Sequence, residues 1–337
     1  MSLTSLKEAP RARPITIAHR GASAYLPEHS LAAKAMAHAM GADFLEQDLV
    51  ATADDRLVVL HDIHIDRVTD VGVRFPDRQR NDGRFYARDF TLAELQSLAL
   101  TERLDADGVA VFPARFPAGP SALRIPSLED ELQLIQGMNR ATGRTAGIYP
   151  ELKKPAWHRE EGVDIAAILL KVLAEFNYPQ HREQVWVQCF DLNENIRLRS
   201  VLKCNYNQVQ LIGDDSWGES DTRYEALLAP GGLQSLNGIV EGIGPWIAQL
   251  YQIGGDDQPP LPTSLIEEAR AMRLAIHPYT LRADALPAGF SSFDSALKWL
   301  TQHGISGIFT DFPDRAVSWF DSNGFAPANW GSTHTEQ

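Results

Sequence analysis

The chain has 337 residues, 44% hydrophobic and 22% charged, with a formal net charge of −13. Such a length and mixture exclude a disordered or collagen-like chain and a small domain that must be stapled, because at this size about 75% of the chain's surface is buried on folding. The acidic balance and the lack of any Lys/Arg cluster argue against nucleic acid, and an anionic substrate would need a local concentration of cations.

In chain order, residues 1–14 carry Lys7, Glu8, Arg11 and Arg13 and no apolar run of the kind that opens an export signal. Short apolar runs then alternate with amphipathic segments. The candidate strands are 15–18, 44–49, 57–60, 146–149, 185–189, 208–212, 238–240, 274–276 and 307–309. Between them lie helical patterns at 31–40, 128–135, 165–176, 193–201, 264–272 and 293–303. Thr91 and Ser127 each stand three residues before a carboxylate, Glu94 and Asp130, which marks two helix starts.

About eight strand-then-helix units imply a parallel sheet, either open or closed. No G-x-G-x-x-G follows the first strand and no G-x-x-x-x-G-K-[ST] occurs, so a closed α/β barrel of the TIM type is the favoured architecture. Residues 62–125 break the rhythm with charged and Pro/Gly-rich stretches. They read as a small subdomain inserted in an early βα loop, at the mouth where substrates enter. The barrel domain is expected over 15–320, with a loop at 256–262 and a polar tail at 321–337. Cys189 and Cys204 read as buried thiols, and no run approaches the roughly 18 apolar residues of a membrane span.

The chemistry gathers at strand ends. In Phe44-Leu-Glu46-Gln-Asp48, residues two apart share a face, so Glu46 and Asp48 point the same way, about 7 Å apart along the strand. Two carboxylates on the buried face of an apolar strand call for a divalent cation or for buried Arg or Lys partners. Glu151 offers a third carboxylate, and Lys153, two residues on, shares its face and suits an anion beside a metal. His19 and His61 each follow an apolar strand and form a candidate acid/base pair. Arg20 suits bidentate phosphate contact, and Gly21 suits a tight turn. His29 precedes a helix and is expected to organise its start. His277 is a candidate for the mouth, whereas His38, His64, His158, His181, His303 and His334 read as packing or exposed residues. No G-x-S-x-G elbow supports serine hydrolysis.

These motifs together resemble the glycerophosphodiester phosphodiesterase family. The resemblance rests on Ala18-His-Arg-Gly-Ala-Ser23 with Pro27-Glu-His29, Leu45-Glu-Gln-Asp48, Leu57-Val-Val-Leu-His-Asp62 and Tyr149-Pro-Glu-Leu-Lys153. It continues through Gln188-Cys-Phe-Asp191, His277-Pro-Tyr-Thr280 and Thr310-Asp-Phe-Pro313. Asp66-Arg-Val-Thr-Asp70 and Arg74-Phe-Pro-Asp77 in the insertion are similar to the longer bacterial enzymes, which are usually exported.

The resemblance implies metal-dependent hydrolysis of glycerophosphodiesters to glycerol 3-phosphate and an alcohol. Glu46, Asp48 and Glu151 would hold one divalent metal, Ca²⁺ in preference to Mg²⁺, with His19 and His61 as acid and base. Arg20, Lys153, Gln188, Phe190 and Tyr279 would contact substrate. It also implies a periplasmic location, against which the export signal missing from these residues leaves a cytoplasmic one open. The expected partner is a small molecule, with neither nucleic acid nor stable membrane insertion; the oligomeric state is unread. The alternatives are a phospholipid-cleaving phosphodiesterase and a non-catalytic binder of glycerophosphodiesters.

Overall fold

The structure, a computed structural model, describes residues 11–254 and 259–328. His334, the expected tail past 328 and part of the expected 256–262 loop lie outside the described residues.

The strands are β1 (Ile15–Ala18), β2 (Phe44–Ala51), β3 (Leu57–Val59), β4 (Gly147–Leu152), β5 (Trp186–Cys189), β6 (Asn207–Ile212) and β7 (Gly242–Pro245). After them come a short antiparallel pair, β8 (Tyr251–Gln252) and β9 (Leu261–Pro262), then β10 (Ala275–Ile276) and β11 (Gly307–Thr310). All but β3, β8 and β9 run parallel in the order β10-β7-β6-β5-β4-β2-β1-β11. The two edges meet through Ser306 N–H to Ile276 O at 3.0 Å, Phe309 N–H to Pro278 O at 3.1 Å and Leu281 N–H to Phe309 O at 2.9 Å. The result is the nearly closed α/β barrel that the rhythm predicts. Helices such as Leu31–Ala39, Ile165–Glu175 and Phe293–Gln302 follow the strands and bury one face each. Both expected capping boxes form, Thr91 with Glu94 and Ser127 with Asp130.

Alternation along the strands sets the interior. Ile15, Ile17, Phe44, Tyr149, Val209, Leu211 and Phe309 form one buried cluster. Continuing each strand by steps of two brings His19, Glu46, Asp48, Glu151, Lys153 and Asp311 to the same face nearer the C-terminal ends.

Three expectations change. The 57–60 segment is not a barrel strand: β2 runs past the rim, and β3 returns antiparallel to it, with Leu49 opposite Val59. The 238–240 segment is a turn, with Gly238 at φ 72°, and the strand is Gly-Ile-Gly-Pro at 242–245. Its glycines reflect crowding, because a Cβ on Gly244 would lie 2.6 Å from the Leu211 side chain. Finally, the last helix runs to Ser322, and Ala326 pairs with Ala12, so the described part of the expected tail joins the chain start.

Between β3 and β4 the chain gathers a separate apolar cluster that includes Ile65, Val71, Phe85, Phe90, Leu95 and Leu100. Val50, Val58 and Leu60 belong to it as well, so this packing reaches back into the β2–β3 hairpin.

Candidate active site

The site begins where β1 ends. Arg20 and Gly21 both take positive φ, 57° and 88°, and turn the chain sharply after His19. A Cβ on Gly21 would lie 2.8 Å from the Ala33 carbonyl carbon, so only glycine allows this approach. The Arg20 backbone N–H donates to Glu46 Oε2 at 2.8 Å.

Glu46, Asp48 and Glu151 are buried, and each offers an oxygen within 4.8 Å of the others. Adjacent pairing of β2 and β4, with Asp48 opposite Glu151, produces this convergence. Burial first, and Asp48 second, push the Glu46 carboxyl up to about 8; burial also drives Glu151 well above its ordinary range. Burial alone would raise Asp48 too, but His29 and its other basic neighbours hold it well below. Asp48 Oδ1 is buried without a hydrogen-bond partner. Three hard oxygen donors that crowd one point, two of them with their charges disfavoured, fit a divalent cation. They select an oxygen-loving ion without naming it.

Both imidazoles stand beside this cluster. His19 Nδ1 pairs with Asp311 Oδ1 at 2.6 Å, which leaves Nε2 facing Glu46 Oε2 at 3.9 Å. His61 Nδ1 pairs with Asp62 Oδ1 at 2.8 Å, and its Nε2 lies 3.5 Å from Lys153 Nζ. A carboxylate on each Nδ1 fixes that proton there and presents a basic Nε2 to the cavity. Burial, and then Arg20, lower His19 to about 4 and lower His61 as well. Both shifts favour the neutral ring, and a phosphate anion beside either ring would favour its imidazolium form. Burial alone would lower the Lys153 ammonium, but Glu151 and Asp48 raise it above its ordinary value. Its Nζ donates to Glu151 Oε1 at 2.7 Å.

The residues singled out in the sequence converge, with differences in detail. His19, Arg20, Glu46, His61, Glu151, Lys153, Gln188, Phe190 and Tyr279 all line one cavity of about 300 Å³; Asp48 is not among its lining residues. The Gln188 amide donates to Glu46 Oε1 at 2.9 Å, so it steadies a carboxylate. The Arg20 guanidinium is held by Glu28 at 2.8 Å and lies 3.6 Å from Asp48. The Tyr279 hydroxyl donates to Ile212 O, and the ring stands edge-on to Phe190.

Two histidines differ from their expected places. His29 does not cap the following helix, a task that falls to Ser30. Its Nε2 bonds Asp48 Oδ2 at 2.6 Å, and burial keeps the ring neutral, so it donates to the carboxylate. His277 is absent from the mouth and lines a cavity at the opposite end, with Nδ1 on the Tyr149 hydroxyl.

Further groups escaped the sequence reading. Asp311 accepts from Arg115 at 2.8 Å and Arg282 at 2.6 Å as well as pairing with His19. Arg103 ties Glu28 to Asp62. Asp311 and Asp62 stand inside recognised motifs, whereas Arg103 and Arg115 come from 62–125 and carry no local signal.

The sequence profile of the glycerophosphoryl diester phosphodiesterase family matches residues 19–315. The glycerophosphodiester phosphodiesterase of Haemophilus influenzae is 41% identical over 322 residues, covering 90% of this chain and 88% of the relative. A solved chain from Silicibacter pomeroyi superposes with a TM-score of 0.69 at 22% identity, covering 96% of each chain. An Oleispira antarctica phosphodiesterase, solved with the product sn-glycerol-3-phosphate, superposes with a TM-score of 0.62 at 18% identity, covering 92% of this chain and 97% of that one.

Proposed function

The chain belongs to the glycerophosphoryl diester phosphodiesterase family, and from that premise we propose that it hydrolyses glycerophosphodiesters by metal-dependent His/His acid–base catalysis. The observation that carries the reading is two Nδ1-anchored imidazoles, His19 and His61, on one cavity with Glu46 and Glu151 of the three-carboxylate cluster. A phosphodiesterase of the same fold holding sn-glycerol-3-phosphate supports a glycerol phosphate product.

Glu46, Asp48 and Glu151 would hold one divalent cation, Ca²⁺ ahead of Mg²⁺ on the resemblance to the long bacterial enzymes. When bound, the cation supplies Lewis-acid polarisation of the phosphoryl oxygens. Lys153 adds a fixed positive charge beside them, and Arg20 extends that charge toward Glu28. The attacking oxygen, from water or from the substrate's glycerol 2-hydroxyl, forms a bond to phosphorus and gives its proton to the Nε2 of one histidine. The bond from phosphorus to the alcohol oxygen breaks, and that oxygen takes the Nε2 proton of the other histidine, which enters the step as an imidazolium favoured by the anionic substrate and leaves it neutral, its Nδ1 proton still on its carboxylate. Asp311 and Asp62 keep both rings turned so that Nε2 does this work. Gln188 and His29 hold Glu46 and Asp48 in place.

The test is release of glycerol 3-phosphate from glycerophosphocholine by the purified chain. His19→Ala and His61→Ala should each lose about 10²–10⁴-fold in turnover, the usual worth of one general acid or base. Near-wild-type turnover in either variant removes that histidine from the mechanism. Tight binding without product would instead mark a binding protein.

A further inference from the structure

A second chamber of about 260 Å³ adjoins the catalytic cavity and shares His19, Arg20, His61 and Arg282 with it. Its far wall comes from the 62–125 region and includes Glu102, Val111, Phe112 and Arg115. The shared residues surround the phosphoryl position of the reading above. A diester centred there has two arms, and there are two chambers to receive them.

The charges in the second chamber are almost fully committed. Arg20 and Arg103 share Glu28; Arg115 binds Asp284 and Asp311; Arg282 binds Asp311. The Arg115 guanidinium also covers the Phe112 ring at 3.7 Å, so that aromatic face is taken. Glu102 is the exception. It is 4% exposed, has no ion pair among the described residues, and its Oε2 is buried without a hydrogen-bond partner. Burial and the neighbouring Glu28 raise its carboxyl to about 7, against the Arg115 and Arg103 charges and the Arg103 backbone N–H, which pull it down. A buried carboxylate of this kind is relieved by a proton or by a cation brought from outside.

The catalytic cavity offers a cation less. The Lys153 ammonium already lies 5.6 Å from the Phe190 ring, and Glu219 is paired with Lys154 at 3.3 Å. With Glu46 and Glu151 committed to the acidic cluster and Glu219 to Lys154, no carboxylate there is left over for a cationic substituent.

Resting on the phosphodiesterase reading, we infer that the second chamber is the subsite for the leaving alcohol, and that Glu102 selects alcohols bearing a cationic nitrogen. The glycerol arm then occupies the aromatic cavity beside Lys153. The 62–125 region thereby sets headgroup preference as well as supplying Asp62, the anchor of His61.

The test compares kcat/KM for glycerophosphoethanolamine, whose alcohol is cationic, with that for glycerophosphoglycerol, whose alcohol is neutral, in the metal-loaded chain. Glu102→Gln should lower the ethanolamine-to-glycerol ratio about tenfold, the lower end of what a hydrogen bond to a charged group contributes. Val111→Lys, at a position 43% exposed on the same chamber, brings in a like charge and should lower the ratio in the same sense. An unchanged ratio in both variants overturns the subsite while leaving the activity intact. Failure of the wild type to turn over either diester overturns the activity reading itself, and the subsite with it.

Discussion

The two ends of the barrel interior use the same strands for opposite purposes. At the N-terminal end, Phe44, Tyr149 and Phe309 pack edge to edge, with ring centroids 4.9–6.1 Å apart, and the nearby ionisable His277 is neutralised by burial and hydrogen-bonded to Tyr149. Two residues further along β2 and β4 the same face carries Glu46 and Glu151, whose charges oppose one another. The base contributes stability through dispersion and excluded water; the mouth stores electrostatic cost that a bound cation would relieve. Substitutions at the two ends should therefore separate activity from stability.

The largest separation is expected at the carboxylates. Glu46→Gln should cost about a thousandfold or more in turnover, given the several kcal/mol that a metal lends to phosphoryl polarisation. In chelator the same variant should melt above the wild type, because a neutral amide replaces a carboxyl whose charge is disfavoured first by burial and then by Asp48. Chelation of the wild type should likewise stop turnover, and Ca²⁺ should restore it better than Mg²⁺; parallel melting curves and activity assays check both outcomes. A variant that melts lower and stays active would erase the contrast.

At the other end, Phe44→Ala should cost about 3–5 kcal/mol of stability, as expected for a large buried side chain. Denaturant titration reads that loss, and turnover at a temperature where the variant stays folded should fall far less than in His19→Ala. A third variant sharpens the boundary between the ends. Asp311→Asn removes the carboxylate behind His19 and should cost roughly 10–100-fold in turnover, the usual range for groups that orient a functional histidine. Stability should fall less than in Phe44→Ala, although Arg115 and Arg282 lose a partner. The smallest effect belongs to Tyr149→Phe, which strips one buried hydrogen bond from His277 for about 1–3 kcal/mol. A change in substrate preference in that variant would show that base and mouth are coupled.

Much of this was legible in the sequence because alternation is a local rule. Glu46 with Asp48, and Glu151 with Lys153, announce a shared face by spacing alone, and an apolar run before each histidine places it at a strand end. What stayed hidden depends on contacts between distant segments. The 57–60 run has the pattern of a barrel strand, and only its pairing with β2 shows that it turns back. His29 looks like a helix-start residue until Asp48 is placed against it. Gly-Ile-Gly-Pro has poor strand propensity, and the crowding that demands its glycines exists only in the closed barrel. Glu102, Arg103 and Arg115 carry no motif, because their meaning comes from the opposing wall.

The pairing of His19 with Asp311 spans 292 positions and joins the first barrel strand to the last. During synthesis the imidazole leaves the ribosome early, and its anchor is among the final segments to appear. Until β11 slots in beside β1, that ring has no fixed tautomer. A nascent or prematurely terminated polypeptide thus holds most of the reactive groups without the means to aim them. Hydrolytic competence arrives with barrel closure and not before it.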